Sequence, residues 1–223
     1  MRDKPGEFVF SEQYERTHVA RDVSAQPGGL ARKVLDWRFI QVARNALKLA
    51  DQPCLVLDLP CGVGGAWSLL AEKDNRVIIG ADHSAELIEQ VCAGQPAEVA
   101  KRVQPLQTSA LSIELSENSV DCIFSMDLVH RLGEADERLT MLREFHRVTR
   151  DSVILSTWVD GNLKAWRQRR GESARQPGAS QPPRVIPARC LEEEFRQAGF
   201  IVQKHIDLIP LLHMWRIYIL RKE

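Results

Sequence analysis

Apolar positions along this chain switch between two periods, and the switches mark the elements. Leu30 to Ala50 reads as an amphipathic helix, with Leu30, Val34, Trp37, Val42, Leu47 and Leu49 broadly on one side. Cys54 to Leu59 is a short apolar run of the kind a buried strand shows, and Ala66 to Glu72 then reads as a helix. Arg76 to Ala81 predicts a second strand. Ser84 is placed to cap a helix over Ala85 to Ala93, with Gly94 as its terminator. Val103 to Gln107 is a weaker third strand and Asp121 to Met126 a fourth. Glu134 to Val148 aligns Leu139, Leu142, Phe145 and Val148 on one helical face. Ser152 to Val159 is a fifth strand, and Leu191 to Ala198 a helix ended by Gly199. Phe200 to Ile206 and Trp215 to Leu220 are strands with no room for a helix between them, which predicts an antiparallel pair. Alternating strands and helices before that pair predict a doubly wound α/β fold, mainly parallel, with helices on both faces. Met1 to Gln26 is polar and weakly periodic. It predicts an arm, with at most a short helix around Glu12 to Ala20, closed by Pro27-Gly28-Gly29.

Composition narrows the class. At 223 residues and 44% hydrophobic, the chain suits one α/β domain with modest additions. Zero formal net charge argues against a dedicated nucleic-acid binder, whose affinity would rest on neutralising phosphates. No apolar run approaches membrane-spanning length. Cys54, Cys61, Cys92, Cys122 and Cys190 are odd in number and widely spaced, which suggests a reduced, cytoplasmic protein. The histidines form no close pair with carboxylates or cysteines at ligand spacing, so no metal site is expected.

The candidate chemistry starts where the first strand ends, in Val56-Leu57-Asp58-Leu59-Pro60-Cys61-Gly62-Val63-Gly64-Gly65. Strand, glycine turn and helix open a nucleotide-binding α/β unit: glycine lets a ligand approach the backbone, and the helix N-terminus offers unpaired N–H groups. A dinucleotide turn needs a third glycine for close helix–strand packing, but Trp67 stands there. Asp58 is placed to accept from a ligand's amine rather than meet a pyrophosphate. Taken alone, the stretch also fits a purely structural turn.

The stretch resembles motif I of the class I S-adenosylmethionine-dependent methyltransferases, D/E-x-G-x-G-x-G. Asp58, Gly62 and Gly64 match, and Pro60 replaces the first glycine, where it removes a donor and fixes φ. The order of elements from Leu30 onward is similar to that family's seven-stranded sheet with its C-terminal antiparallel pair. The resemblance implies S-adenosylmethionine as cofactor, held by Asp58, Pro60, Cys61, Gly62 and Gly64. It also implies that Asp82, the acid after the second strand, takes the ribose hydroxyls, since a carboxylate accepts from two vicinal hydroxyls at once. The alternative is that Asp82 only caps the next helix. His83 would flank the adenine or lie in a surface loop.

Leu115 to Asp121 resembles the family's P-F-x-D-N-S-F-D run. Counting back puts Ser109 where many members carry an aspartate toward the adenine amine, with Ala110 and Leu111 offering backbone N–H and apolar surface. Met126-Asp127-Leu128-Val129-His130-Arg131-Leu132 resembles the L-H-H-L stretch of small-molecule members, including the quinone-biosynthesis type. Met126 would line the cofactor pocket. His130 would be the general base, or else a packing histidine.

Between Asp160 and Arg189, Lys164, Arg167, Arg169, Arg170, Arg175, Arg184 and Arg189 stand against two acids, Asp160 and Glu172, broken by Gly and Pro. This is a basic, lid-like insert in a domain spanning 30–223, or else a solvated loop. Trp158 and Trp166 flank its start. The resulting expectation is a methyltransferase acting on a small or amphiphilic acceptor, anionic or glycolipid-like where the basic insert receives it. Its rivals are an RNA or protein methyltransferase and a non-catalytic binding protein that keeps the fold.

Overall fold

The computed structural model describes residues 30–166 and 185–223. Helix α1 (Leu30–Leu49) leads into β1 (Leu55–Asp58), a short α2 (Trp67–Leu70), β2 (Val77–Asp82), α3 (Ala85–Gly94), α4 (Ala97–Ala100) and β3 (Val103–Gln107). β4 (Val120–Ser125) is followed by a 3₁₀ turn (Val129–Arg131), α5 (Ala135–Val148) and β5 (Thr149–Trp158). α6 (Ala188–Gln197), β6 (Phe200–Asp207) and β7 (Trp215–Lys222) complete the order. Among the described residues seven strands form one sheet, in the order β3-β2-β1-β4-β5-β7-β6. β1 to β5 are parallel, while β7 runs antiparallel to both β5 and β6.

The strand order reverses between β1 and β4. Chains leaving these two neighbours diverge there and open a crevice at their carboxyl ends, the place where open α/β sheets receive ligands. Two cores hold the layers together. On one face Val42, Ala43, Ala46 and Leu47 of α1 pack with Trp67, Ile88, Val91, Cys122 and Phe124. On the other, Met141, Leu142 and Phe145 of α5 and Leu191 and Phe195 of α6 pack with Leu57, Ile123, Val153 and Leu155. Arg138 ties α5 to α6 by two bonds to the Glu194 carboxylate, 2.8 and 2.5 Å long and almost fully buried. Removing one partner of such a pair strands a buried charge.

The predicted α/β class and terminal antiparallel pair match this sheet, with strand ends moved by at most three residues. The predicted face of α1 needs correction. Val34 and Trp37 are exposed, and the packed stripe is Val42, Ala43, Ala46, Leu47 and Ala50. Val42 and Leu47 of the predicted face are buried and Leu49 half-buried, so the face is right in its second half, and alanines complete the stripe there because they let the helix lie close to the sheet. The predicted arm 1–29 and the insert cations Arg167, Arg169, Arg170, Arg175 and Arg184 lie outside the described residues.

Candidate active site

The crevice begins where β1 and β2 end side by side on two buried carboxylates. Asp58 is 2% exposed and accepts from the Trp67 indole N–H at 2.9 Å. Asp82 is fully buried. Its Oδ2 accepts from the Gly62 backbone N–H at 3.0 Å, and its Oδ1 from the Ser84 N–H at 3.4 Å. The Cys61 N–H donates to the Ala81 carbonyl at 2.7 Å, so the glycine turn is stitched to the end of β2. Burial pushes the Asp58 carboxyl up to about 8, against the indole bond that lowers it, with the neighbouring Asp82 charge adding to the rise. Burial also raises Asp82, while the N–H groups of Gly62, Ser84 and His83 pull the other way. Cys61 is raised too, by burial and then by the two carboxylates, which leaves it a thiol.

Trp67 explains why the turn departs from a dinucleotide site. Its indole is fully buried and lies across Gly80 of β2: a Cβ there would sit 2.5 Å from the ring. The helix–strand approach is thus provided by a glycine on the strand rather than on the helix. Gly64 has a positive φ of 70°, and a Cβ on it would meet Val91 at 2.6 Å and Gln95 at 2.9 Å. The space beside Gly64 is occupied by the protein itself. Its glycine is required for packing the turn on α3.

The other predicted residues divide by location. Pro60 is half-buried and His83 exposed, both at the rim. The loop after β3 reaches the same edge: the Thr108 N–H donates to the Asp82 carbonyl, and the Gln107 side chain donates to the His83 carbonyl. Within that loop the Ser109 hydroxyl accepts from the Leu111 N–H at 3.2 Å. Ala110 and Leu111 pack partly against the α5–α6 core, whereas Met126 packs against the α1 core with Cys61. The structure therefore gathers Asp58, Cys61, Gly62 and Asp82 at the ends of β1 and β2, sets Ser109, Ala110 and Leu111 along one edge, and puts Met126 on the other.

His130 sits beyond β4, 1% exposed, stacked on Trp158 with centroids 4.4 Å apart and planes within 7°. Its Nε2 lies 3.3 Å from Asp127 Oδ1. Asp127, which the sequence reading passed over, has a positive φ of 63° and organises this corner. Its N–H donates to Ser156, its carbonyl accepts from Arg131 Nε, and its Oδ2 accepts from Arg131 Nη2 at 2.8 Å. An acid in left-handed backbone at the end of a central strand is a mark only the structure carries. Among the described residues no group of three His, Cys, Asp or Glu side chains stands at metal-holding spacing.

Residues 56–152 match a family model described as a methyltransferase domain. The matched segment runs from β1 into β5, and the sheet built around it has the class I methyltransferase fold. Solved structures agree on the fold. Magnesium protoporphyrin IX methyltransferase from Synechocystis PCC 6803, with bound SAH, superposes at a TM-score of 0.71 over 97% of each chain, at 15% identity. A putative sarcosine dimethylglycine methyltransferase from Galdieria sulphuraria gives 0.62 over 86% of each chain, at 16% identity. The [4+2]-cyclase SpnF gives 0.61 over 82% of this chain and 81% of its own, at 17% identity. No curated protein sequence matches the chain. At these identities the likeness establishes architecture, and the acceptor has to be argued from this chain's own residues.

Proposed function

We propose that this chain transfers the methyl group of S-adenosylmethionine to a small or amphiphilic acceptor in the crevice at the carboxyl ends of β1, β2 and β4. The observation that carries the proposal is the buried carboxylate pair. Asp58 faces one indole N–H and has no cationic partner among its hydrogen bonds or the charges that shift it, so its site suits a ligand that brings an ammonium group. Asp82 is bonded by Gly62 and Ser84 N–H groups, and a carboxylate has lone pairs enough to accept from ribose hydroxyls as well. The residues fit the cofactor on these grounds. Asp58 would take its amine, Asp82 its ribose, and Pro60, Cys61 and Gly62 would line its approach. His83, Ser109, Ala110, Leu111 and Met126 would surround the base.

The cofactor supplies an electrophilic methyl carbon, and the chain has to hold a nucleophile in line and exclude water. Trp158 and His130 form an aromatic wall at the ends of β4 and β5 for the acceptor. His130, held against Asp127, would take the acceptor's proton where the acceptor is a hydroxyl. Asp127 then positions the ring.

A second reading is a binding protein that keeps the fold without methyl transfer, and one observation favours it: both Asp82 oxygens already brace the protein's own backbone. Calorimetry with S-adenosylmethionine and with its demethylated product separates the two. Binding of both, weakened at least tenfold in Asp82→Asn, supports the cofactor site. Absence of binding by the folded wild type refutes it.

A further inference from the structure

We propose that the loop between β6 and β7, together with the chain at Leu163 to Trp166, docks the carboxyl end of the sheet on an anionic lipid surface. The proposal goes beyond methyl transfer and stands whether or not the acceptor is a lipid.

The loop Ile209-Pro210-Leu211-Leu212-His213-Met214 is apolar where connecting turns are ordinarily polar. Leu211 is 78% exposed and Leu212 56%. Leu211 is also held at a φ of 63°, a backbone region that costs a bulky residue energy and suits Gly or Asn. An exposed leucine in strained backbone gains nothing for the isolated fold. The surface continues beyond the loop. The Leu163 N–H donates to the Leu211 carbonyl and the Lys164 N–H to the Leu212 carbonyl, which sets exposed Leu163 and Trp166 beside the two leucines. Arg38 of α1 donates to the Leu208 carbonyl, bringing the exposed Trp37 and Val34 to the same end of the molecule.

Location and charge identify the partner. Trp215 of β7 pairs with Trp158 of β5, so this loop projects from the end of the sheet where the crevice opens. Exposed cations rim the patch: Lys33 and Arg38 on α1, Lys164 bonded to His213, and Arg189 at the start of α6, against Asp36 and Asp160. Leucine tips, tryptophans and a cationic rim are the chemistry of insertion into the headgroup region of an anionic bilayer. A second copy fits less well. A two-fold contact would bring the same cationic rims together, and a projecting loop tip offers little of the flat area that a stable dimer buries. Among the described residues no helix is long and apolar enough to cross a membrane, so the contact is with its surface.

The test is co-sedimentation of the full chain with vesicles of phosphatidylcholine alone and of an equal mixture of phosphatidylcholine and phosphatidylglycerol. The wild type should bind the mixture, bind phosphatidylcholine far less, and be released by salt. Leu211→Asn with Leu212→Asn should lower partitioning into the mixed vesicles by about tenfold or more. The same variant should melt no lower than wild type, because Asn tolerates the left-handed backbone, and should bind S-adenosylmethionine unchanged. Leu212→Phe should keep vesicle binding. The proposal is overturned if the wild type ignores mixed vesicles, or if the double variant binds them equally well. It is also overturned if ultracentrifugation shows a dimer that the double variant abolishes while vesicle binding is absent. Since vesicle binding is measured without cofactor, its failure and a failure to bind cofactor are separate results.

Discussion

Asp58→Asn replaces a buried titrating acid at the end of β1 with a neutral group of the same shape. In the unfolded chain the carboxyl titrates near 3.8, and in the fold burial pushes it to about 8. A raised acid contributes stability that is fully present below its unfolded value and is lost as pH rises through its folded one. Between pH 5 and 8 the cofactor-free wild type should therefore lose on the order of 4 kcal/mol through this group, at 1.36 kcal/mol per unit. For a chain of this size that is roughly 8–16 °C in melting temperature. Asn does not titrate, so the variant's melting curve should be flatter over the same range by that amount. Asn keeps an oxygen for the Trp67 indole but leaves one more unpaired donor than the protonated acid does, which costs about 1–3 kcal/mol at every pH. The wild type has already lost about 1.6 kcal/mol by pH 5, so the two proteins should be within about 1.5 kcal/mol of each other there, and the variant should be the more stable at pH 8. Scanning calorimetry of both proteins from pH 5 to 8 reads this directly, and subtraction cancels the histidines they share. Parallel curves would refute the claim that Asp58 is held protonated by burial.

Three further outcomes follow from the same geometry. Asp82→Ala should lose cofactor binding and should also destabilise the cofactor-free protein by about 1–3 kcal/mol, because the Gly62 N–H is left unpaired; denaturant melts check this. Gly64→Ala should unfold more easily by about 1–3 kcal/mol even without cofactor, from its positive φ and the contact with Val91, and Val91→Ala in the same chain should recover part of the loss. His130→Ala should lower kcat for a hydroxyl acceptor by about 10²–10⁴ with cofactor affinity kept, and a fall in stability without a change in turnover would assign the ring to packing on Trp158.

The order of elements was legible because each strand is a compact apolar run bounded by Gly, Asp or Pro, and the absence of a helix between Phe200 and Leu220 forced the antiparallel pair. The glycine turn and the acid after β2 were legible as motif positions. Their physical roles were not. Gly64 reads as room for a ligand, and the structure adds that a Cβ on it would meet Val91, twenty-seven residues later. Asp82 reads as a ligand group or helix cap, yet the cap is Ser84, which accepts from the Leu87 N–H, while Asp82 reaches back to Gly62. Trp67 signals only that a dinucleotide does not fit; that Gly80 on a different element receives the indole needs the register of β2 under α2. Each of these is a contact between residues far apart in sequence, and no local period carries it. Asp127 was missed for a different reason: its backbone, not its neighbours, sets it apart.

In the proposed site the buried Asp58 carboxylate would receive the cofactor's amine. Titration calorimetry with S-adenosylmethionine at pH 7, repeated in buffers of different ionisation enthalpy, measures the protons exchanged on binding. With Asp58 starting mostly protonated and ending as the partner of an ammonium group, binding should release close to one proton, and affinity should rise by up to tenfold per pH unit toward pH 8. Asp58→Asn should bind more weakly and release none. Wild-type binding with no proton released, and with an affinity that Asp58→Asn leaves unchanged, would contradict the account.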